Sequence, residues 1–149
     1  MRYRDAGQVH LDFHRTTNGT IGYLRRKYGR AFLDETFRRT ARDVYRSIRE
    51  DLLKGDTSQL LEHWSYYFDR EGGRYSIDRN GDEIRMTVHE CPAIAYLKKR
   101  GIEIDPDFCR QTIVINEAFA ESSPFEITTD VIGDGRCVQT LRRLRRDTQ

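Results

Sequence analysis

The chain has 149 residues, a length that suits one domain spanning 1–149 with a core of ordinary size. Charged residues make up 34% of it, but 26 basic and 24 acidic side chains leave a net charge of only +2, so the total names no partner class. No stretch approaches the roughly 18 apolar residues of a membrane helix, and Arg2, Tyr3, Arg4 and Asp5 begin no apolar run after Met1, so the expectation is a soluble, cytoplasmic protein with no membrane partner.

Residues 1–18 read as a polar N-terminal arm, placed to fold back on a site. Thr20 to Tyr28 reads as a short helix closed by Gly29. A longer helix follows, because Leu33, Phe37, Ala41, Val44, Ile48 and Leu52 recur at three- and four-residue spacing, with Arg38, Arg42, Arg46 and Arg49 outside that stripe. Basic residues outnumber acidic ones over 21–50 and again over 141–146. Asp34, Glu35, Asp43, Glu50 and Asp51 are interleaved with them, which favours a solvated helix face over a nucleic-acid footprint.

Leu60, Leu61, Trp64, Tyr67 and Phe68 predict a third helix, from caps at Asp56-Thr57-Ser58 to Gly72-Gly73. Residues 74–79 and 82–89 alternate around Asn80-Gly81, a type I′ hairpin signal in whose register Ile77 meets Ile84 and Tyr75 meets Met86. Cys91-Pro92 opens a helix to Arg100, and Asp105-Pro106 opens another through Glu121. Residues 125–132 and 136–142 form a second hairpin whose loop, at Gly133-Asp134-Gly135, holds two or three residues. The expected fold is α+β: three N-terminal helices, then hairpin, two helices and hairpin, the four strands joining in an antiparallel sheet covered by helices. Its edge strands make a homodimer one way of covering exposed edges.

The chemistry concentrates in three cysteines, Cys91, Cys109 and Cys137. An odd count without a secretory segment argues against a disulfide framework and for reduced thiols acting as nucleophile, metal ligands or core groups. Cys91 starts a helix, where the dipole is expected to lower its pKa, and His89 stands two residues upstream as base or acid. Cys109 shares a helical stripe with Ile113, Asn116 and Ala120, and a buried amide such as Asn116 must find polar partners, in a pocket or in neighbouring backbone. Cys91, Cys109 and Cys137 with His89 or His63 also make a candidate zinc set, although they lack the short Cys-x-x-Cys pairing of zinc motifs. His10 and His14 flank Asp12, and either helical or extended backbone brings polar side chains of this group to one face. No phosphate-binding loop and no G-x-S-x-G element is present in the sequence.

The series His10-Leu11-Asp12-Phe13-His14, Tyr28-Gly29, Glu71-Gly72-Gly73, Cys91-Pro92, Phe108-Cys109 and Gly133-Asp134-Gly135-Arg136-Cys137 resembles the L-2-amino-thiazoline-4-carboxylic acid hydrolase family. The resemblance implies hydrolytic opening of a 2-aminothiazoline ring to an S- or N-carbamoyl-cysteine. On that reading Cys91, Cys109, His89, His10 and His14 are the candidate catalytic groups, and Asp12, Glu71 and Asn116 are candidate substrate contacts. The element order also looks like the V4R-type small-molecule-binding domains, in which cysteines hold zinc. Two readings therefore stand side by side: a ring-opening hydrolase using a thiolate or a Cys/His-bound metal, and a small-molecule-binding or sensing module with a structural zinc.

Overall fold

The computed structural model describes residues 9–145. Residues 1–8 of the predicted N-terminal arm lie outside them. Four helices precede the first strand: α1 (Phe13–Tyr28), α2 (Arg30–Asp43), α3 (Arg46–Leu53) and α4 (Ser58–Glu71). There follow β1 (Arg74–Asn80), β2 (Glu83–Glu90), α5 (Pro92–Lys99), α6 (Arg110–Ala120), β3 (Phe125–Gly133) and β4 (Arg136–Arg143). The strands form one antiparallel sheet in the order β1-β2-β4-β3, so the protein is α+β as its sequence predicts.

The expected second helix is two helices. At Val44-Tyr45 the chain leaves the helical path, with Tyr45 at φ −102° and ψ 26°. Val44, which completes the periodic stripe on paper, is 61% exposed, while Tyr45 packs against the core. Helix α1 starts earlier than Thr20 because its buried stripe opens with polar residues, His14 and Asn18, before Ile21 and Gly22. Asn18 donates to the Glu103 carbonyl and accepts from the Asp105 N–H, both at 2.9 Å. After Asp105, residues 106–109 form turns and α6 begins only at Arg110.

Both hairpins have two-residue loops. In the first, Asn80 pairs with Glu83, so Gly81-Asp82 turns the chain and Ile77 meets Met86 while Tyr75 meets Val88. Only Gly81 of the two has positive φ, which fits a type II′ rather than a type I′ turn. The offset from the expected register is two residues along the partner strand, so every side chain keeps its predicted face. In the second hairpin Asp134 and Gly135 both have positive φ, the type I′ signature, and Gly133 pairs with Arg136.

One face of the sheet meets the helices. Across it run Tyr75, Val88, Cys137 and Val131 in one row, then Ile77, Met86, Gln139 and Thr129 in the next, then Ile84, Leu141 and Ile127. The opposite face is polar and carries ion pairs such as Arg142–Glu83 at 2.9 Å. Two apolar clusters result. The larger joins the sheet to α3, α4 and α6 through residues such as Trp64, Met86, Phe119 and Leu141. The smaller joins α1, α2 and α5 through Ile21, Leu33, Leu97 and Phe108. Cys91 packs against both.

Candidate functional site

A cavity of about 480 Å3 opens between the two clusters, a size within the range of roughly 300–1,000 Å3 that encloses small organic ligands. Helix α4 contributes His63, Trp64, Tyr67, Phe68 and Glu71 from one side, as the four-residue spacing of His63, Tyr67 and Glu71 requires. Cys91, Cys109 and Cys137, from the N-cap of α5, the N-cap of α6 and strand β4, line it as well. The three thiols predicted to share a site do line one cavity.

Two glycines set this end of the cavity. Gly72 ends α4 in the left-handed conformation at φ 73°. At Gly73 an added Cβ would lie 2.7 Å from Phe68 Cδ1 and 2.9 Å from Pro92 Cδ, so only glycine lets α4 and the start of α5 come this close. The Cys91 N–H then donates to the Gly135 carbonyl at 2.8 Å and ties the tip of the second hairpin to the wall.

His14 and Glu71 face each other across the α1–α4 junction, with Nε2 2.7 Å from the Glu71 carboxylate. Their side chains are 10% and 4% exposed. With the carboxylate accepting, Nε2 carries the hydrogen, and in the neutral imidazole that tautomer leaves the lone pair on Nδ1. Burying a charge requires such a partner.

The thiols are not activated. Burial raises the pKa of Cys91, and the N–H groups of Ile94 and Ala93 at the start of α5 only partly oppose it, while nearby Glu71 adds to the rise. Burial also raises Cys109, with Cys91 adding to it. Cys137 is pushed up to about 12, by burial first and then by Cys91 and Cys109. Cys91 thus lies above its ordinary value and not below it, as its helix-start position suggests: the two backbone N–H groups act in the expected direction, and desolvation outweighs them. Among the described residues no three His, Cys, Asp or Glu side chains are grouped to hold a metal ion.

Asn116 is the polar centre of the floor. Its Oδ1 accepts from Trp64 Nε1 at 3.1 Å, and its Nδ2 donates to Thr129 Oγ1 at 2.9 Å and to Gln139 Oε1 at 2.7 Å. Gln139 Nε2 in turn reaches the Met86 sulfur at 3.8 Å. Among the described residues no buried side-chain nitrogen or oxygen lacks a partner.

Other candidates lie elsewhere. His89 points to the outer face of the sheet, where Nε2 is 3.4 Å from Ser76 Oγ in a shallow depression beside Asp69 and Arg74. Strand alternation explains this, since Val88 faces in and the chain must turn through Glu90 before Cys91. His10 is exposed and precedes the helix, so it does not pair with His14. Asp12 accepts from the Tyr96 hydroxyl and ties α1 to α5 rather than facing the cavity. Of the residues not singled out as one set from sequence, Tyr45, His63 and Tyr67 form an aromatic group. Burial pushes His63 down to about 4, and Tyr45, beside Tyr67, is pushed up to about 12. Their signal was the aromatic density of α4, which reads equally well as core.

Fold and site together describe an α+β protein with a cavity of small-molecule size, carrying one buried histidine–carboxylate pair and three neutral thiols. No helix of the described residues is long and apolar enough to cross a membrane. No protein-family model matches the chain, and no curated protein matches it.

Proposed function

We propose that the protein is a hydrolase that opens a small heterocycle of the 2-aminothiazoline kind in this cavity, with His14 moving the protons. The observation that carries the reading is the buried His14–Glu71 pair at 2.7 Å on the cavity wall. Glu71 fixes the tautomer of the imidazole and stabilises its positive charge once it is protonated. Nδ1 accepts one proton from water as the water oxygen bonds to C2 and the C2=N π pair moves to the ring nitrogen, which takes the remaining hydroxyl proton when the carbonyl forms. The tetrahedral adduct collapses with cleavage of C2–S or C2–N, and the proton returns from His14 to the departing atom. One water is consumed, and the product is N-carbamoyl- or S-carbamoyl-cysteine when the substrate is the amino acid.

This reading moves the catalytic role from thiolate to histidine. Cys91, Cys109 and Cys137 act as neutral, polarisable wall groups beside the ring. Incubation with 2-aminothiazoline-4-carboxylate, followed by mass spectrometry of the products, tests it. His14→Gln is expected to lose about 100-fold or more of the rate, and each Cys→Ser variant to stay within about tenfold of the parent. A fully active His14→Gln variant overturns the assignment.

A second reading is a small-molecule-binding module without chemistry. It is supported by the raised thiol pKa values and by an Asn116 network whose amide hydrogens are both used within the protein. Binding of a ligand with no turnover by the wild-type protein would select it.

A further inference from the structure

Strand β1 is one edge of the sheet, and among the described residues no strand pairs with its outer side. The two-residue loop Gly81-Asp82 decides which of its backbone groups are bare. That loop is closed by Asn80 and Glu83, which exchange both hydrogen bonds, so Asn80, Asp78 and Ser76 turn their N–H and C=O groups toward β2. Tyr75, Ile77 and Arg79 turn theirs outward. Side chains alternate in the same step: Tyr75 and Ile77 pack against the larger core cluster, while Arg74, Ser76 and Asp78 lie on the polar face.

The charges along this edge complement themselves. Two copies of β1 laid antiparallel about a two-fold axis at Ser76 set Arg74 opposite Asp78 twice, and Tyr75 opposite Ile77 twice. The outward groups of Tyr75 and Ile77 then meet in the phase that an antiparallel ladder requires. An axis at Ile77 would keep that phase but set Arg74 opposite Asn80 and Tyr75 opposite Arg79, losing both charge pairs. Asp78 makes no ion pair among the described residues, since Arg85, its neighbour on β2, pairs with Glu83. Arg74 holds Glu90 at 2.9 Å with its side chain 70% exposed, and a guanidinium has hydrogens for a second carboxylate. The other edge is built against self-pairing: β3 laid on itself about Thr128 opposes Glu126 and Asp130, which are like charges.

We propose that β1 pairs with β1 of a second copy, making one continuous sheet whose register the two Arg74–Asp78 pairs fix. The inference is independent of the chemistry in the cavity. Sedimentation velocity between about 1 and 200 μM, a range that covers small interfaces, tests it. The wild-type protein is expected to pass from monomer toward dimer. Asp78→Arg and Arg74→Asp each oppose like charges at two points, and each is expected to self-associate about tenfold more weakly or less. Mixed in equal amounts, the two variants recover both attractions and are expected to pair with each other within about threefold of the parent. Both positions are exposed, and circular dichroism confirms that the variants fold. In hydrogen exchange the Tyr75 and Ile77 amides are expected to gain protection as concentration rises, while those of Ser76 and Asp78, bonded to β2, do not change. A wild-type monomer at the highest concentration overturns the proposal, as do single variants that associate like the parent or a mixture that regains nothing. Protection of Tyr75 and Ile77 that does not depend on concentration also overturns it, because the edge is then held from within one chain.

Discussion

Asn116 joins a helix, the sheet and a second helix through one amide. Truncating it to alanine strands the Trp64 N–H and the Gln139 carbonyl, both buried, and opens a void above Met86. A loss of about 2–4 kcal/mol is expected from the unpaired groups, measurable by urea unfolding, and a variant within about 0.5 kcal/mol of the parent would show that water replaces the amide. His63 supplies a pH signature. Its pKa is about 4 in the folded protein against an ordinary 6.5, so below 6.5 the unfolded chain takes up a proton that the folded protein refuses. Stability contributed by this residue is therefore intact above 6.5 and falls as pH drops toward 4, by up to about 3 kcal/mol. His63→Phe should remove that part of the acid dependence; identical pH profiles for the two proteins would refute it. From the sequence, Asn116 could be recognised because an amide on an apolar stripe is anomalous. His63 entered there only as a possible fourth zinc ligand, since a histidine among aromatics has no further anomaly until burial is known.

At the scale of elements, the site depends on how segments end. Gly73→Ala drives a methyl into Phe68, Pro92 and the Glu90 carbonyl, which lies 3.2 Å from the added atom, and one of these is backbone that cannot rotate away. The expected cost is about 1–3 kcal/mol, with a fall in the proposed His14-dependent hydrolysis because Glu71 sits two residues earlier. Normal thermal stability and rate would mean that the junction yields. The hairpins and the α5 start were legible because turn glycines and Cys91-Pro92 are local signals. The break at Val44-Tyr45 was not: apolar periodicity runs straight through it, and only the tertiary gain from turning Tyr45 toward His63 and Phe119 selects the break. The first turns of α1 were hidden for a related reason. The face they bury begins with His14 and Asn18, whose partners lie 57 and 85–87 residues away in the chain.

On the scale of the whole molecule, α1 and α2 are fastened to the segment before α6 by paired arginine forks. Arg25 grips Asp105 at 2.9 and 3.1 Å, and Arg30 grips Asp107 at 2.5 and 3.1 Å. Asp107→Asn removes one charge from a buried position and leaves the sheet untouched. Hydrogen exchange should then quicken at the start of α2, which Arg30 opens, while the amides of β2 and β4 keep their protection; a uniform change across both would contradict a local fastening. None of these pairs follows from composition, because a charge run says nothing of which acid it meets.

The cavity separates the two apolar clusters, and Cys91 is packed against each of them. A molecule occupying that seam completes a contact surface that the polypeptide leaves open, and so becomes part of the mechanical frame. At one hundred times its dissociation constant it adds about 2.7 kcal/mol to the folded state. Much of that gain should appear as slower opening of α1 and α5, the side held by the smaller cluster. The protein would thus be stiffest when loaded, and thermal shift against a ligand library would report occupancy before any product is known.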